Sequence, residues 1–264
     1  MSGKEMSKSG NGNRPKYGNW VPAKMIVIFL ILFCISCVLP IVINVGFVGG
    51  IFITVSVISG ALFIYMGYAY WLIGKNDGGL QKQLCNALLD KLDWDGQGEA
   101  LDIGTGSGRA AIYLAKRYPS AHVVGIDYWG NPWAYSKGVC DENAEIEGVA
   151  DRVSFQRASA VNLPFEDGEY DLVISNFVFH SVRVVDKKSL VKEALRVIKK
   201  DGVFAFQDLY NKQFYGDIGL FYEELQTWGL KEVKLIDTSD LVYIPLALRV
   251  NHMLGNSRIL YGIK

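Results

Sequence analysis

The chain has 264 residues, half of them hydrophobic, and its 27 basic residues balance 27 acidic ones. The charge is segregated: residues 1–24 carry Lys4, Lys8, Arg14, Lys16 and Lys24 against Glu5, residues 25–74 carry no charged residue or His, and residues 75–264 have a small acidic excess. That pattern excludes a globally basic nucleic-acid binder and suits a small or neutral substrate.

The basic tail, residues 1–24, leads into two apolar runs, 25–45 and 51–73. Each is long enough for a bilayer core of about 30 Å, which takes roughly 20 residues. The link Gly46–Gly50 is short, so residues 25–74 are predicted to form an antiparallel transmembrane hairpin with both outer ends on one side. Tyr17 and Trp20 before the first run, and Tyr68, Tyr70 and Trp71 closing the second, are expected in one interfacial belt, and the basic tail puts that side in the cytoplasm. A secretory signal would have a shorter apolar region. A lipoprotein signal ending at Cys37 would have an aliphatic residue in place of Cys34, and a buried soluble hairpin would show a polar stripe. Pro40 is predicted to kink the first helix. Cys34 and Cys37 read as small apolar fillers, and Cys85 and Cys140 are far apart, so the four cysteines make no disulfide framework and fit a reducing compartment.

From residue 75 to 264 the composition is that of a soluble domain. Leu80, Leu84, Leu88, Leu89 and Leu92 have helical spacing. Strands and helices then alternate. "EALDIG" and "HVVGID" are predicted strands, with the helix "GRAAIYLAKRY" between them. The helix "AYSKGVCDENAEIEG" precedes the strand "RVSFQRA". After an irregular piece come the strand "YDLVISNF", the helix "KKSLVKEALRVIKK", the strand "GVFAFQDLY" and the helix "DIGLFYEELQTWG". "KEVKLID" and "RILYGIK" close the chain as two more strands. The alternation predicts an α/β fold, a seven-stranded, mostly parallel sheet with helices on both faces. Such a sheet binds ligands beyond the carboxyl ends of its strands.

The turn Asp102-Ile103-Gly104-Thr105-Gly106-Ser107-Gly108 sits at such an end. It lacks the Gly-Lys-Ser/Thr of a phosphate-binding loop. A dinucleotide fingerprint needs glycine where Arg109 stands, which argues against a nicotinamide oxidoreductase. Glycines 104, 106 and 108 leave backbone bare for a ligand. Asp102 ahead of them suits a cation and would repel a pyrophosphate. Asp127, at the end of the next strand, can accept bonds from two ribose hydroxyls, and Tyr128 can lie against a base. An ammonium group, a thin chain and a ribose without phosphates describe S-adenosylmethionine.

On these residues, 78–264 resemble the class I S-adenosylmethionine-dependent methyltransferases. "LDIGTGSG" is similar to the family's first motif and "VVGID" to its acidic second motif, while "NLPFEDGEYDLVISNFVFHSV" and "EALRVIKKDGVFAF" resemble later regions. The resemblance implies a Rossmann-like sheet ending in an antiparallel hairpin. It implies that Asp102 holds the methionine amino group and that Asp127 binds the ribose, with Gly104, Thr105, Gly106 and Gly108 forming the turn. Relatives carry Asp-Ala where this chain has Ser159-Ala160. The Ser159 hydroxyl still accepts a bond from an adenine amine, without charge.

Methyl transfer from a sulfonium needs positioning and dryness first, and a base only where the acceptor keeps its proton until attack. Asn176 is a candidate to position cofactor or acceptor. His180 is the candidate base, its competing role being a structural cap on the strand end. Of Phe177 and Phe179 one faces the pocket and the other packs in the core. Asp208 and Tyr210 are placed at the same rim. His122 and His252 have no partners for a metal site, and no metal is expected. The long apolar connection 238–257 is expected to form a lid that touches the membrane. The chain thus reads as a membrane-anchored methyltransferase for a small or lipophilic acceptor at the bilayer. The alternative is a non-catalytic, cofactor-binding scaffold.

Overall fold

The computed structural model describes residues 14–42, 49–130, 135–184, 186–251 and 253–264, without the side chains of 75–78. Lys4, Glu5, Lys8, Gly46 at the start of the hairpin link, and His252 lie outside the described residues.

Helix α1 (Ala23–Val42) and helix α2 (Gly49–Leu89) run side by side. Ala23–Val42 and Gly49–Gly74 are long and apolar enough to cross a membrane. Their outer surface is a field of exposed Ile, Val and Leu such as Ile28, Ile35, Ile53 and Ile64. Between them runs a seam of small residues. The Ser56 Oγ lies 2.8 Å from both Ser36 Oγ and the Phe52 carbonyl, within reach of its one proton, and Gly60 makes room for the Phe33 ring. Small and hydroxylated residues at a contact let apolar helices approach closely without an unsatisfied polar group. Pro40 lies in the last turn of α1.

The second apolar run and the first helix of the soluble part form one element, α2. Gly79, with φ 41°, is the residue at which its geometry departs from helical. Beyond it Leu80, Leu84, Leu88 and Leu89 are buried.

The sheet has the order β3-β2-β1-β4-β5-β7-β6. Strands β1 (Gly98–Ile103), β2 (Ala121–Asp127), β3 (Val153–Arg157), β4 (Tyr170–Asn176) and β5 (Ile198–Leu209) are parallel. β6 (Glu232–Asp237) and β7 (Ser257–Ile263) complete it as the expected antiparallel pair. Helix α3 (Arg109–Arg117), helix α4 (Lys137–Ile146) and the distal part of α2 bury Ala111, Leu114, Cys140 and Leu84 against one face. Helix α5 (Lys188–Arg196) and helix α7 (Ile218–Leu225) bury Val191, Ala194, Phe221 and Leu225 against the other, with the short α6 (Lys212–Tyr215) between them. Lys199 and Lys200, expected in a helix, belong to the start of β5, because Val197 and Ile198 turn into the core and stop α5 at Arg196. The order reverses between β1 and β4, whose ends pair Ile103 with Ser175. A crevice opens beyond such a reversal.

Candidate active site

Asp102 is buried near the end of β1. Its Oδ2 accepts from the Ala111 N–H in the first turn of α3 at 3.1 Å, while Oδ1 has no partner among the described residues. Burial pushes this carboxyl up to about 7, against the pull of the Thr105 hydroxyl and the Ala111 N–H. The turn that follows is held by two backbone bonds of 2.8 Å, from Gly104 and Thr105 to the Ile126 carbonyl. Gly104 has φ 74°, and a Cβ there would lie 2.2 Å from Val178 Cγ2, so only glycine fits. Gly108 differs in role: a Cβ on it would meet the Phe155 ring at 2.9 Å, so this glycine serves packing at the start of α3.

Asp127 closes the turn from the neighbouring strand. Its Oδ2 accepts from the Gly106 N–H at 2.9 Å and Oδ1 from the Trp129 N–H at 2.7 Å. Each oxygen keeps a second lone pair for a ligand hydroxyl. The Trp129 indole donates back to the Gly106 carbonyl at 2.9 Å. Tyr128 is exposed, with the Arg157 guanidinium over its ring.

These groups line one cavity of about 1290 Å³. Asp102, Gly104, Thr105, Gly106, Asp127 and Tyr128 are on its wall, as are Ser159, Ala160, Asn176 and His180. Gln81 Oε1, Thr105 Oγ1 and Asn176 Oδ1 are, like Asp102 Oδ1, buried oxygens of wall residues without a partner among the described residues. A buried acceptor without a donor is costly, and four on the residues around one cavity suit a ligand rich in N–H or O–H groups. Ser159 Oγ accepts locally from the Val161 N–H at 3.2 Å. The same cavity is lined by Met25 of α1, Tyr65 and Met66 of α2, and Val250, Met253 and Leu254.

His180 lies in a single 3-10 turn just after β4. Its Nδ1 is 2.6 Å from Asp208 Oδ1, and its backbone N–H donates to Asp208 Oδ2 at 3.1 Å. Asp208 is buried at the end of β5. An ionised carboxylate only accepts, so the ring proton sits on Nδ1 and Nε2 keeps its lone pair. Phe177 faces the cavity and Phe179 is buried against Phe206. Tyr210, expected at the rim, is instead in the core: its hydroxyl donates to the Phe206 carbonyl and its ring packs on Tyr215 and Phe221. His122 is at the opposite end of its strand, beside Glu99.

Residues 14–22 are a cover that the sequence reading placed elsewhere. Tyr17 does not face an interfacial belt, and between it and Trp20 the Asn19 amide donates to the Tyr70 carbonyl at 2.9 Å. Tyr17 is buried, its hydroxyl on Glu147 and its ring under the Arg109 guanidinium at 4.3 Å. Trp20 packs on Phe177 with ring centres 4.8 Å apart. Ser107 of the glycine turn donates to the Tyr17 carbonyl, and the Lys16 N–H donates to Asn143 Oδ1. The Asn143 amide in turn donates to the carbonyls of Ser107 and Lys16. One side chain therefore clasps the cover to the turn. Asn143→Ala removes these bonds, at about 1 kcal/mol each. It is expected to weaken S-adenosylhomocysteine binding roughly tenfold and to expose the chain near Lys16 to trypsin, read by calorimetry and limited proteolysis.

Gln81, Trp20 and Tyr135, whose ring lies 3.5 Å from where a Gly106 Cβ would be, were not anticipated at the site. Only Gln81 left a local trace, a polar residue on the buried side of a leucine-rich helix.

Residues 101–206 match the family model described as a methyltransferase domain. A malonyl-acyl-carrier-protein O-methyltransferase of Geobacter sulfurreducens is 33% identical over 129 residues, 48% of this chain and 45% of that one. A ubiquinone/menaquinone biosynthesis C-methyltransferase of Geotalea daltonii is 29% identical over 125 residues, 47% of this chain and 51% of that one. The chain spans about half the length of the curated relatives it matches. Among solved structures the cyclase SpnF superposes with a TM-score of 0.52 at 16% identity, over 72% of this chain and 83% of its own. That likeness shows the fold alone, since a fold does not fix a reaction.

Proposed function

We propose that this chain, whose soluble part is a class I S-adenosylmethionine-dependent methyltransferase domain, is held at the cytoplasmic face of a membrane by α1 and α2 and methylates an amphiphilic acceptor drawn from that membrane. One observation carries the reading. The cavity lined by Asp102, whose Oδ1 is buried and unpartnered among the described residues, is lined also by α1 and α2, at Met25, Tyr65 and Met66.

The residues present fit the cofactor. Asp102, with Gln81 and Asn176 nearby on the wall, would hold its ammonium group. Asp127 would take the ribose hydroxyls, and Tyr128, Ser159 and the Ala160 backbone would flank the base. When bound, S-adenosylmethionine supplies a methyl group on a sulfonium that is already a good leaving group. The protein's own part is to orient the acceptor, exclude water and receive a proton. Trp20 and Phe177 exclude water, and His180 Nε2, set by Asp208, receives the acceptor's proton. The acceptor is therefore a protic group, such as a hydroxyl or phenol, on an apolar body. Several relatives are named for methyl transfer to oxygen or carbon, and both chemistries use such a proton acceptor.

The test uses the full chain in lipid nanodiscs. Calorimetry is expected to show S-adenosylhomocysteine binding and no NADH binding. Radiolabelled S-adenosylmethionine incubated with membranes should put label into an organic-extractable product. Cofactor binding with no label transferred to any fraction would favour the scaffold reading. NADH binding without S-adenosylhomocysteine binding would sink both.

A further inference from the structure

The geometry points to the segment Leu241–Val250 as a third membrane contact, inserted into the leaflet beside α2. With Met25, Tyr65 and Met66 it frames a lateral portal that takes the hydrocarbon chain of the acceptor. This rests on the reading of α1 and α2 as membrane spans and of the acceptor as amphiphilic.

The segment has two faces. Val242, Ile244 and Leu248 are buried in the core, whereas Tyr243 and Leu246 are 77% and 80% exposed and Leu241 and Val250 are also exposed. Residues 241–248 contain no charge, and Arg249, the one charged residue of the segment, is exposed and folds its Nε–H back onto the Ile244 carbonyl. The exposed side chains are held out by a fixed backbone: the Arg249 Nε–H donates to the Ile244 carbonyl at 2.7 Å and the Leu248 N–H to the Pro245 carbonyl at 2.8 Å. A rigid, uncharged presentation of large apolar groups is unfavourable against water and favourable against acyl chains.

Depth is set by one hydrogen bond. The Tyr65 hydroxyl donates to the Ala247 carbonyl at 2.9 Å. Tyr65 precedes Gly74, the end of the apolar stretch, by nine residues, roughly 13 Å along a helix. It is also beyond Tyr68, Tyr70 and Trp71, whose exposed rings suit the interfacial belt. Helical side chains lean toward the helix N-terminus, which in α2 is the end away from the soluble part. Ala247 therefore lies level with the hydrocarbon, not above it, and the adjoining Leu246 points free of the protein. The inner side of the same stretch is the cavity wall: Val250 and Met253 face it together with Met25 and Met66. An opening between a hydrocarbon-level loop and two spanning helices receives a lipid chain sideways and brings its head toward His180.

The full chain in nanodiscs that contain phosphatidylcholine with a diazirine in mid-acyl chain tests this, with adducts mapped by mass spectrometry after irradiation. Adducts are expected within 241–250 and at Met253, which is inside the cavity. In the double variant Tyr243→Asp and Leu246→Asp the yield within 241–250 should fall at least fivefold. S-adenosylhomocysteine affinity should stay within twofold, because neither side chain lines the cavity. Adducts confined to α1 and α2, or an unchanged yield in the double variant, would overturn the insertion. Adducts in 241–250 without any at Met253 would overturn the portal. Failure of S-adenosylhomocysteine to bind the wild-type chain would count against methyl transfer and leave the insertion standing.

Discussion

Asp102→Asn is expected to weaken S-adenosylhomocysteine binding by two orders of magnitude or more, and to leave the unliganded domain as stable as before or more so above pH 7. The two halves have one cause. The carboxyl is buried with Oδ1 unpartnered, and that burial pushes it up to about 7. A carboxyl whose folded value is raised gives stability that is present below the ordinary carboxylate range, near pH 4, and is lost as pH climbs through the folded value. At pH 8 the free protein holds a buried charge that the Ala111 N–H and the Thr105 hydroxyl offset only in part. An ammonium ion in the cavity supplies the missing partner, and a charge-assisted bond of this kind is worth about 1.5–3 kcal/mol or more when desolvated. Asn removes the charge and keeps an oxygen for the Ala111 N–H. For the wild type, affinity should rise as pH passes from 6 to 8 and then level, by up to about tenfold per unit below 7. For the Asn variant it should stay flat. Calorimetry across that range, with thermal unfolding of both free proteins, checks the result. Equal affinities for wild type and variant at pH 8 would remove Asp102 from the site.

The parts of this molecule that could be read in advance are those whose signal is local. The glycine turn with its two acids is a backbone requirement written in adjacent residues, and Asp102, Asp127, Asn176 and His180 indeed meet around one cavity. The seven strands were legible because each is a short apolar run between turn residues. What was misplaced depends on contacts distant in sequence. An amphipathic ring before an apolar helix suits a lipid headgroup and a protein crevice equally. Tyr17 is claimed by Arg109 and Glu147, and nothing in its own neighbourhood announces either. Tyr210 follows a strand end, where ligands usually lie, yet Tyr215 and Phe221 fold back over it and bury it. The charges after Gly74 suggest a boundary. A helix is interrupted by backbone chemistry rather than by charge, and among the described residues of α2 the one with positive φ is a glycine, Gly79.

The His180–Asp208 pair joins these scales, because the histidine was legible and its partner's role was not. Asp208→Asn is expected to lower methyl transfer to the membrane acceptor by about 10²–10⁴-fold, the range that a positioned proton acceptor contributes. Asp208 does not line the cavity, so S-adenosylhomocysteine affinity should stay within twofold. The carboxylate accepts from the Nδ1 side of the ring at 2.6 Å and thereby keeps the lone pair on Nε2. An amide can turn its N–H toward Nδ1, which moves the ring proton to Nε2 and takes the lone pair from the cavity. In that orientation the Asn oxygen still accepts from the His180 backbone N–H, while the Leu209 N–H loses its acceptor. His180→Ala should lose a comparable factor, and the double variant little more, since the two side chains act as a unit. If both variants transfer label at the wild-type rate, the pair is a clasp between β4 and β5, and the acceptor arrives with its proton already gone.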